Sequence, residues 1–150
     1  MNTEDKNKLT FQFFNEIGII QQLATTAFNR QMPDGLHVSH FSILNHLIRL
    51  GDGKTPLSLS DAFQVTKGTM THTLGTLSKR KFIMLAPHPT DGRSKVVFLT
   101  NEGRNFHASA IVSLAPLMKI MEQKINLEDL IEMLPKLREI REVLDQNRDI

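Results

Sequence analysis

One stretch of this 150-residue chain cannot be helical, and it constrains what the rest can be. Between the apolar runs 83–86 (IMLA) and 95–99 (KVVFL) lies PHPTDGRS, in which two prolines and an Asp-Gly pair interrupt any helix. The second run is rich in Val and Phe, so the stretch predicts a β-hairpin with a long tip. Pro87 and Pro89 withhold ladder bonds there, and Asp91-Gly92 supplies the turn.

Elsewhere the apolar residues recur every three or four positions, the spacing of a helix face. Phe13, Ile17, Ile20, Leu23, Ala24, Ala27 and Phe28 predict an amphipathic helix over residues 10–31, ended by MPDG. A second helix is expected to start near Ser39 as its cap, with Phe41, Leu44, Leu47 and Ile48 facing inward; Gly51, Gly53 and Pro56 then break the chain. Ser58 with Asp61 resembles a capping box and opens a brief helix through Leu59, Ala62 and Phe63, followed by a turn at Val65. Thr66 is the next cap, and Met70, Leu74 and Leu77 give the following helix one apolar side. After the hairpin, Thr100 caps a helix over about 101–123 in which Pro116 predicts a kink. A last helix covers about 128–146, apolar at Leu130, Ile131, Leu134, Leu137, Ile140 and Leu144, with Pro135 expected to kink or divide it.

Charge is concentrated in the middle of the chain. Residues 54–104 carry eight Lys/Arg against three Asp/Glu, whereas the flanking parts are slightly acidic. That distribution points to a polyanion meeting the centre, with a lysine-rich solvated face as the plainer reading. Within it, one side of the helix after Thr66 presents Lys67, Gly68, Thr69, Thr71, His72, Thr73, Thr76 and Lys79 and has no carboxylate. Short hydroxyl groups without acids are what a phosphate-lined groove tolerates.

Several functions are disfavoured. The first twenty residues open with acids and lack a signal-peptide pattern, and no apolar run approaches the roughly 18 residues of a spanning helix, so a cytoplasmic location without membrane attachment is expected. With no cysteine there is no disulfide framework, thiolate metal site or thiol switch. No glycine-rich phosphate loop, nucleophile elbow or paired-carboxylate motif is present, so no enzymatic activity and no cofactor are expected. Six histidines, His37 and His40 near each other among them, raise a metal site, but zinc needs four convergent ligands that spacing alone does not show; none is assigned.

A short helix, a turn, a longer helix and a hairpin, all inside the basic third, are the order of a winged helix-turn-helix. The segments LSDAFQVTKGTMTHTLGTLSKRKFI and HPTDGRSKVVFLTNEGR, with the flanking helices, resemble the multiple-antibiotic-resistance regulator (MarR) family over essentially the whole chain. The most specific element is the wing signature Asp91-x-Arg93, an apolar strand, then Leu99, Thr100 and Gly103. The resemblance implies a mainly α fold with a small β-hairpin wing, in one domain spanning the chain. The winged helix-turn-helix would occupy about residues 36–100, and residues 8–31 and 101–147 would form dimerisation helices. It also implies a homodimeric regulator of transcription, of repressor type, on double-stranded DNA. Residues 66–79 would enter the major groove, Arg93 the minor groove, and Asp91 would hold the tip. The DNA-contacting set is then Thr66, Lys67, Gly68, Thr69, Thr71, His72, Thr73, Thr76, Lys79, Asp91, Arg93 and Lys95.

Where family members often have a basic residue, a glycine and an arginine, this chain has His72, Lys81 and Leu85, which alters individual phosphate contacts. Many relatives release DNA on binding a small aromatic acid; the matching region here offers Phe14, His37, His40 and Met118, although filled core packing is the default for such residues. The competing reading is a winged-helix module that meets an acidic protein partner without specific DNA binding.

Overall fold

Asn2 opens the first helix by accepting the Asp5 amide at 2.8 Å, in a computed structural model that describes residues 1–149. Helix α1 (Thr3–Gln31) starts well ahead of residue 10, because Glu4 and Asp5 in its first turn suit the positive end of the helix dipole. At 1.5 Å per residue α1 is about 43 Å long, yet none of its own residues is buried. A tight turn (Pro33–Gly35) with Asp34 at φ 59° leads to α2 (Val38–Leu50). The expected cap, Ser39, is already inside that helix. Its role falls to two residues that bind its first amides: His40 Nδ1 accepts the His37 amide at 3.0 Å, and Asn29 of α1 accepts the Val38 amide at 2.8 Å.

Helix α3 (Pro56–Phe63) is capped by Thr55, which takes the Ser58 amide at 3.1 Å, and not by Ser58. Pro56 is its first residue, where a fixed φ and a missing amide proton cost nothing. Thr66 caps α4 (Lys67–Lys79) as expected, accepting the Thr69 amide at 3.1 Å. The core forms where α2, α3, α4 and the hairpin meet: Ile43, Leu44, Leu47, Leu59, Leu77 and Val97 are its largest fully buried side chains. Each stabilises the fold by about 1.5–3 kcal/mol. In α2, Ile43 takes the buried place expected of Ile48, which is exposed.

Both helices of the helix-turn-helix end in the same way. The Val65 amide reaches Ser60 O and the Gln64 amide Asp61 O; likewise Phe82 reaches Leu77 O and Lys81 reaches Ser78 O. This pairing requires a left-handed residue, and the positions are held by Gln64 (φ 53°) and Lys81 (φ 62°). For a residue with a Cβ that region costs about 1–2 kcal/mol. Lys81→Gly is therefore expected to stabilise the protein by about 0.5–1 kcal/mol after the added freedom of the unfolded chain is counted. The check is the urea midpoint at unchanged slope; a midpoint that falls contradicts it.

Strands β1 (Ile83–Pro87) and β2 (Lys95–Leu99) pair antiparallel, with Ile83 opposite Leu99 and Pro87 opposite Lys95. Pro87 thus lies within the strand, at its last position. Lys54 adds a bridge to Val97 on the other edge, and Asp52 accepts the Leu99 amide at 2.8 Å. Thr100 then caps α5 (Asn101–Ser113) by taking the Gly103 amide at 3.0 Å, while its own hydroxyl donates to Lys81 O.

Instead of one kinked helix over 101–123, the chain breaks at Leu114, where this first unit ends. Pro116 forces this, since it has no amide to donate and collides with the preceding turn; it becomes the second residue of α6 (Ala115–Lys124). In the second unit, α6 is followed by α7 (Leu127–Gln146), capped by Asn126 and continuous through Pro135. Neither α6 nor α7 buries a residue.

Candidate nucleic-acid interface

Helix α4 divides cleanly. Met70, Leu74 and Leu77 enter the core, while Thr66, Lys67, Gly68, Thr69, Thr71, His72 and Lys79 are exposed and Thr76 is half-buried. Thr73 departs from the expectation, being only 9% exposed, with its hydroxyl donating to Thr69 O at 3.0 Å. Three residues beyond Met70, it lies on the inward side of the helix. Thr76 likewise donates to His72 O at 3.3 Å, and Thr66 donates to the Thr69 hydroxyl at 3.0 Å.

The wing tip is held by its own backbone. The His88 amide donates to Ser94 O and the Ser94 amide to Asp91 O, both at 3.1 Å. Asp91 Oδ1 accepts the Arg93 amide at 3.0 Å. His88 Nδ1 accepts the amides of Thr90 at 3.2 Å and Asp91 at 3.1 Å. One oxygen of the Asp91 carboxylate is thereby engaged inside the turn. Arg93 is fixed by its main chain, and among the described residues nothing hydrogen-bonds or pairs with its exposed guanidinium. Lys95, also exposed, follows at the foot of β2. His88 carried no sequence signal, because its part depends on a ring nitrogen facing amides two and three residues ahead.

A cleft joins helix to wing. Pro56 and Leu57 of α3, Thr71, Leu74 and Gly75 of α4, and Leu85, Arg93, Ser94 and Lys95 of the hairpin line it. A neighbouring depression is formed by Pro56, Leu57, Lys67 and Thr71. The far end of α4 is tied down separately, as Arg80 donates to Asp34 O at 2.8 Å. None of Pro56, Leu57 or Arg80 was among the expected site residues, since it is the fold that brings α3 and the 33–35 turn alongside α4.

Four of the six histidines pack against other rings. The His37 and His40 rings stack at 5.9 Å, His46 packs on Phe63, and His107 lies flat on Phe41 at 4.8 Å while bonding Asn45 at 3.0 Å. Among the described residues no three metal-ligating side chains group to hold an ion, and no helix is long and apolar enough to cross a membrane. Of the residues considered for an effector, Phe14 is exposed and lies fifteen positions before Asn29, about 22 Å along α1. Within one chain it is thus remote from the His37–His40 pair that Asn29 adjoins through Val38. Met118, in the second unit, is exposed.

Burial is the main cause that lowers His40 below the ordinary 6.5, reinforced by His37, His72 and Arg80. Burial also lowers His46, with Arg49 and Lys54 adding to it, and His107. The native state therefore binds fewer protons than the unfolded chain just below pH 6.5, and stability is lost as pH falls through 6.5 towards the depressed native values. Urea midpoints at pH 8 and pH 5.5 are expected to show that loss. His40→Gln, which keeps a cap acceptor at the same helical position, should lessen it; an unchanged pH dependence in His40→Gln contradicts the assignment to His40.

Comparison with known proteins agrees with this geometry. Residues 34–94 match the MarR family. No curated protein matches the chain by sequence. Among solved structures, the transcriptional regulator BldR from Sulfolobus solfataricus superposes with a TM-score of 0.74 at 24% identity, over 93% of this chain and 99% of that one. A MarR transcriptional regulator from Methanosarcina mazei Go1 gives 0.76 at 22%, over 87% and 95%. BpsR of Bordetella bronchiseptica, whose DNA binding is described as regulated by 6-hydroxynicotinic acid, gives 0.72 at 20%, over 87% and 98%. The matched segment runs from the 33–35 turn to the wing tip: residues 34–94 match the MarR family, and the chain has the fold of these regulators.

Proposed function

We propose that this protein is a cytoplasmic transcriptional regulator, of repressor type, that binds an inverted repeat in double-stranded DNA as a homodimer. The observation that carries the reading is the pairing of a carboxylate-free helix face with an unpartnered, turn-fixed Arg93 across one cleft. Helix α4 enters the major groove with Lys67, Thr69, Thr71, His72 and Lys79 foremost. Arg93 lies in the minor groove, where a planar, permanently charged group suits the enhanced negative potential. Thr66, Gly68, Thr76 and Lys95 border those contacts, and Asp91 acts by holding the tip.

Dimerisation is supported by apolar surface that one chain leaves uncovered. Phe11 is 72% exposed on α1, Ile20 61% and Leu23 68%; in the second unit Ile131 is 67% exposed and Leu144 54%. Surface of that kind marks an interface. A two-fold dimer reads identical half-sites about one helical turn apart, roughly 10 to 10.5 base pairs. A small aromatic acid is the proposed effector class, by analogy with the 6-hydroxynicotinic acid that regulates BpsR, with His37 and His40 the residues of the proposed set that stand together. Light scattering at micromolar concentration is expected to give twice the 17.0 kDa chain mass, and duplex binding should weaken steeply with salt while keeping sequence preference. A monomer whose DNA attachment is weak and sequence-blind contradicts the proposal and favours an acidic protein partner.

A further inference from the structure

Leu57 is placed beside the cations of the site. It stands in the first turn of α3, 52% exposed, and it is common to both depressions that flank α4, together with Pro56 and Thr71. Cations bound the two depressions: Lys67 lines one, Arg93 and Lys95 the other. Pro56, Leu57 and Thr71 are shared by the two, and Leu85 lines the one towards the wing. Gly75 keeps it open, since a Cβ there would meet nothing within 4 Å. A glycine in mid-helix costs about 1 kcal/mol against alanine, and among the described residues no close approach requires it at Gly75.

Resting on the DNA-binding reading above, we infer that Leu57 and Thr71 form an apolar notch that reads the 5-methyl group of a thymine in each half-site. The surrounding cations decide the kind of occupant, because they draw the phosphates of a duplex to both sides of the notch and leave a base edge facing its floor. On the major-groove edge of a base pair, only thymine presents a methyl group, and small apolar side chains are the groups that recognise it. Leu85 extends the same apolar surface towards the wing.

The test uses the full-length protein and an operator selected from random duplexes. Each thymidine is replaced singly by deoxyuridine, which removes only the methyl, and affinity is read by fluorescence anisotropy. Loss of one buried methyl is expected to weaken binding about fourfold, and about fifteenfold when both half-sites are changed. That loss should be confined to one symmetric position and should vanish in Leu57→Asn, whose affinity for the thymine operator is already reduced. Thr71→Ser, which deletes only a methyl from an exposed helix position, should shrink it in part and gives a second reading if Leu57→Asn melts early. Indifference to every deoxyuridine, or a methyl effect unchanged in both variants, overturns the inference while leaving DNA binding intact. Failure to select any preferred duplex overturns the DNA-binding reading itself, and the inference with it.

Discussion

Gly103→Ala is expected to destabilise the protein by about 2–4 kcal/mol, a cost at the upper end for an overpacked site. A Cβ at this position would lie 2.1 Å from the Phe82 carbonyl oxygen, 2.9 Å from Leu99 Cδ1 and 3.0 Å from the Phe82 carbonyl carbon. The nearest obstacle is backbone and is held from several sides. Phe82 O accepts the Thr100 amide at 3.1 Å, and the Phe82 amide donates to Leu77 O at 3.0 Å. Relief therefore requires α5 to move away from the end of α4, which would also break the bond from the Thr100 hydroxyl to Lys81 O. Gly75→Ala is the control: with open space around it, it should raise stability by about 1 kcal/mol. Urea midpoints of the two variants settle the matter. A Gly103→Ala protein as stable as wild type would mean that α5 is not locked to the end of α4 as described.

The second large effect concerns binding. On the proposed reading, Arg93→Ala removes two cations per dimer from phosphate-lined space, so affinity is expected to fall by about 1–3 kcal/mol per wing at moderate salt. The slope of log affinity against log salt should lose about 1.8 in magnitude, roughly 0.9 for each cation. Folding should survive, because exposed substitutions of this kind usually stay within about 0.5 kcal/mol and the tip is held by Asp91 and His88, not by the guanidinium. Asp91→Ala should behave differently. It loses the carboxylate that takes the Arg93 amide, so binding weakens as the tip loosens while the cation count, and hence the slope, stays nearly the same. Anisotropy from about 50 to 300 mM salt separates the two. A well-folded Arg93→Ala protein with wild-type affinity and slope would show that the wing does not touch DNA.

What could be read in the sequence was what chemistry between near neighbours decides. Thr66 and Thr100 were legible as caps because a hydroxyl three residues before an amide binds it whatever the rest of the chain does. The hairpin was legible because proline and Asp-Gly leave few alternatives. Ser39 and Ser58 were the wrong choices for the same kind of site. In one case the acceptors come from His40 and from Asn29 on another helix; in the other, Pro56 shifts the helix start back by its preference for the first position, leaving Thr55 as cap. Gly103 could be recognised as part of a motif, but its reason is the Phe82 carbonyl, distant in sequence. The same limit applies to the interface. The exposed face of α4 followed from its periodicity, whereas Leu57 and the Arg80 tether depend on how α3 and the 33–35 turn pack against it. Thr73 illustrates the remaining difficulty: a threonine has both a methyl and a hydroxyl, and type alone does not say which one the core receives.

The central claim, that this winged helix-turn-helix reads duplex DNA as a two-fold dimer, is tested most directly by selecting bound duplexes from fragments of the source genome and footprinting the protein on the winners. The expected result is one enriched inverted repeat, its half-sites protected on one face of the duplex and centred about one helical turn, roughly 10 to 10.5 base pairs, apart. Sequence-blind protection, or enrichment of a single unrepeated site by a monomer, would contradict it.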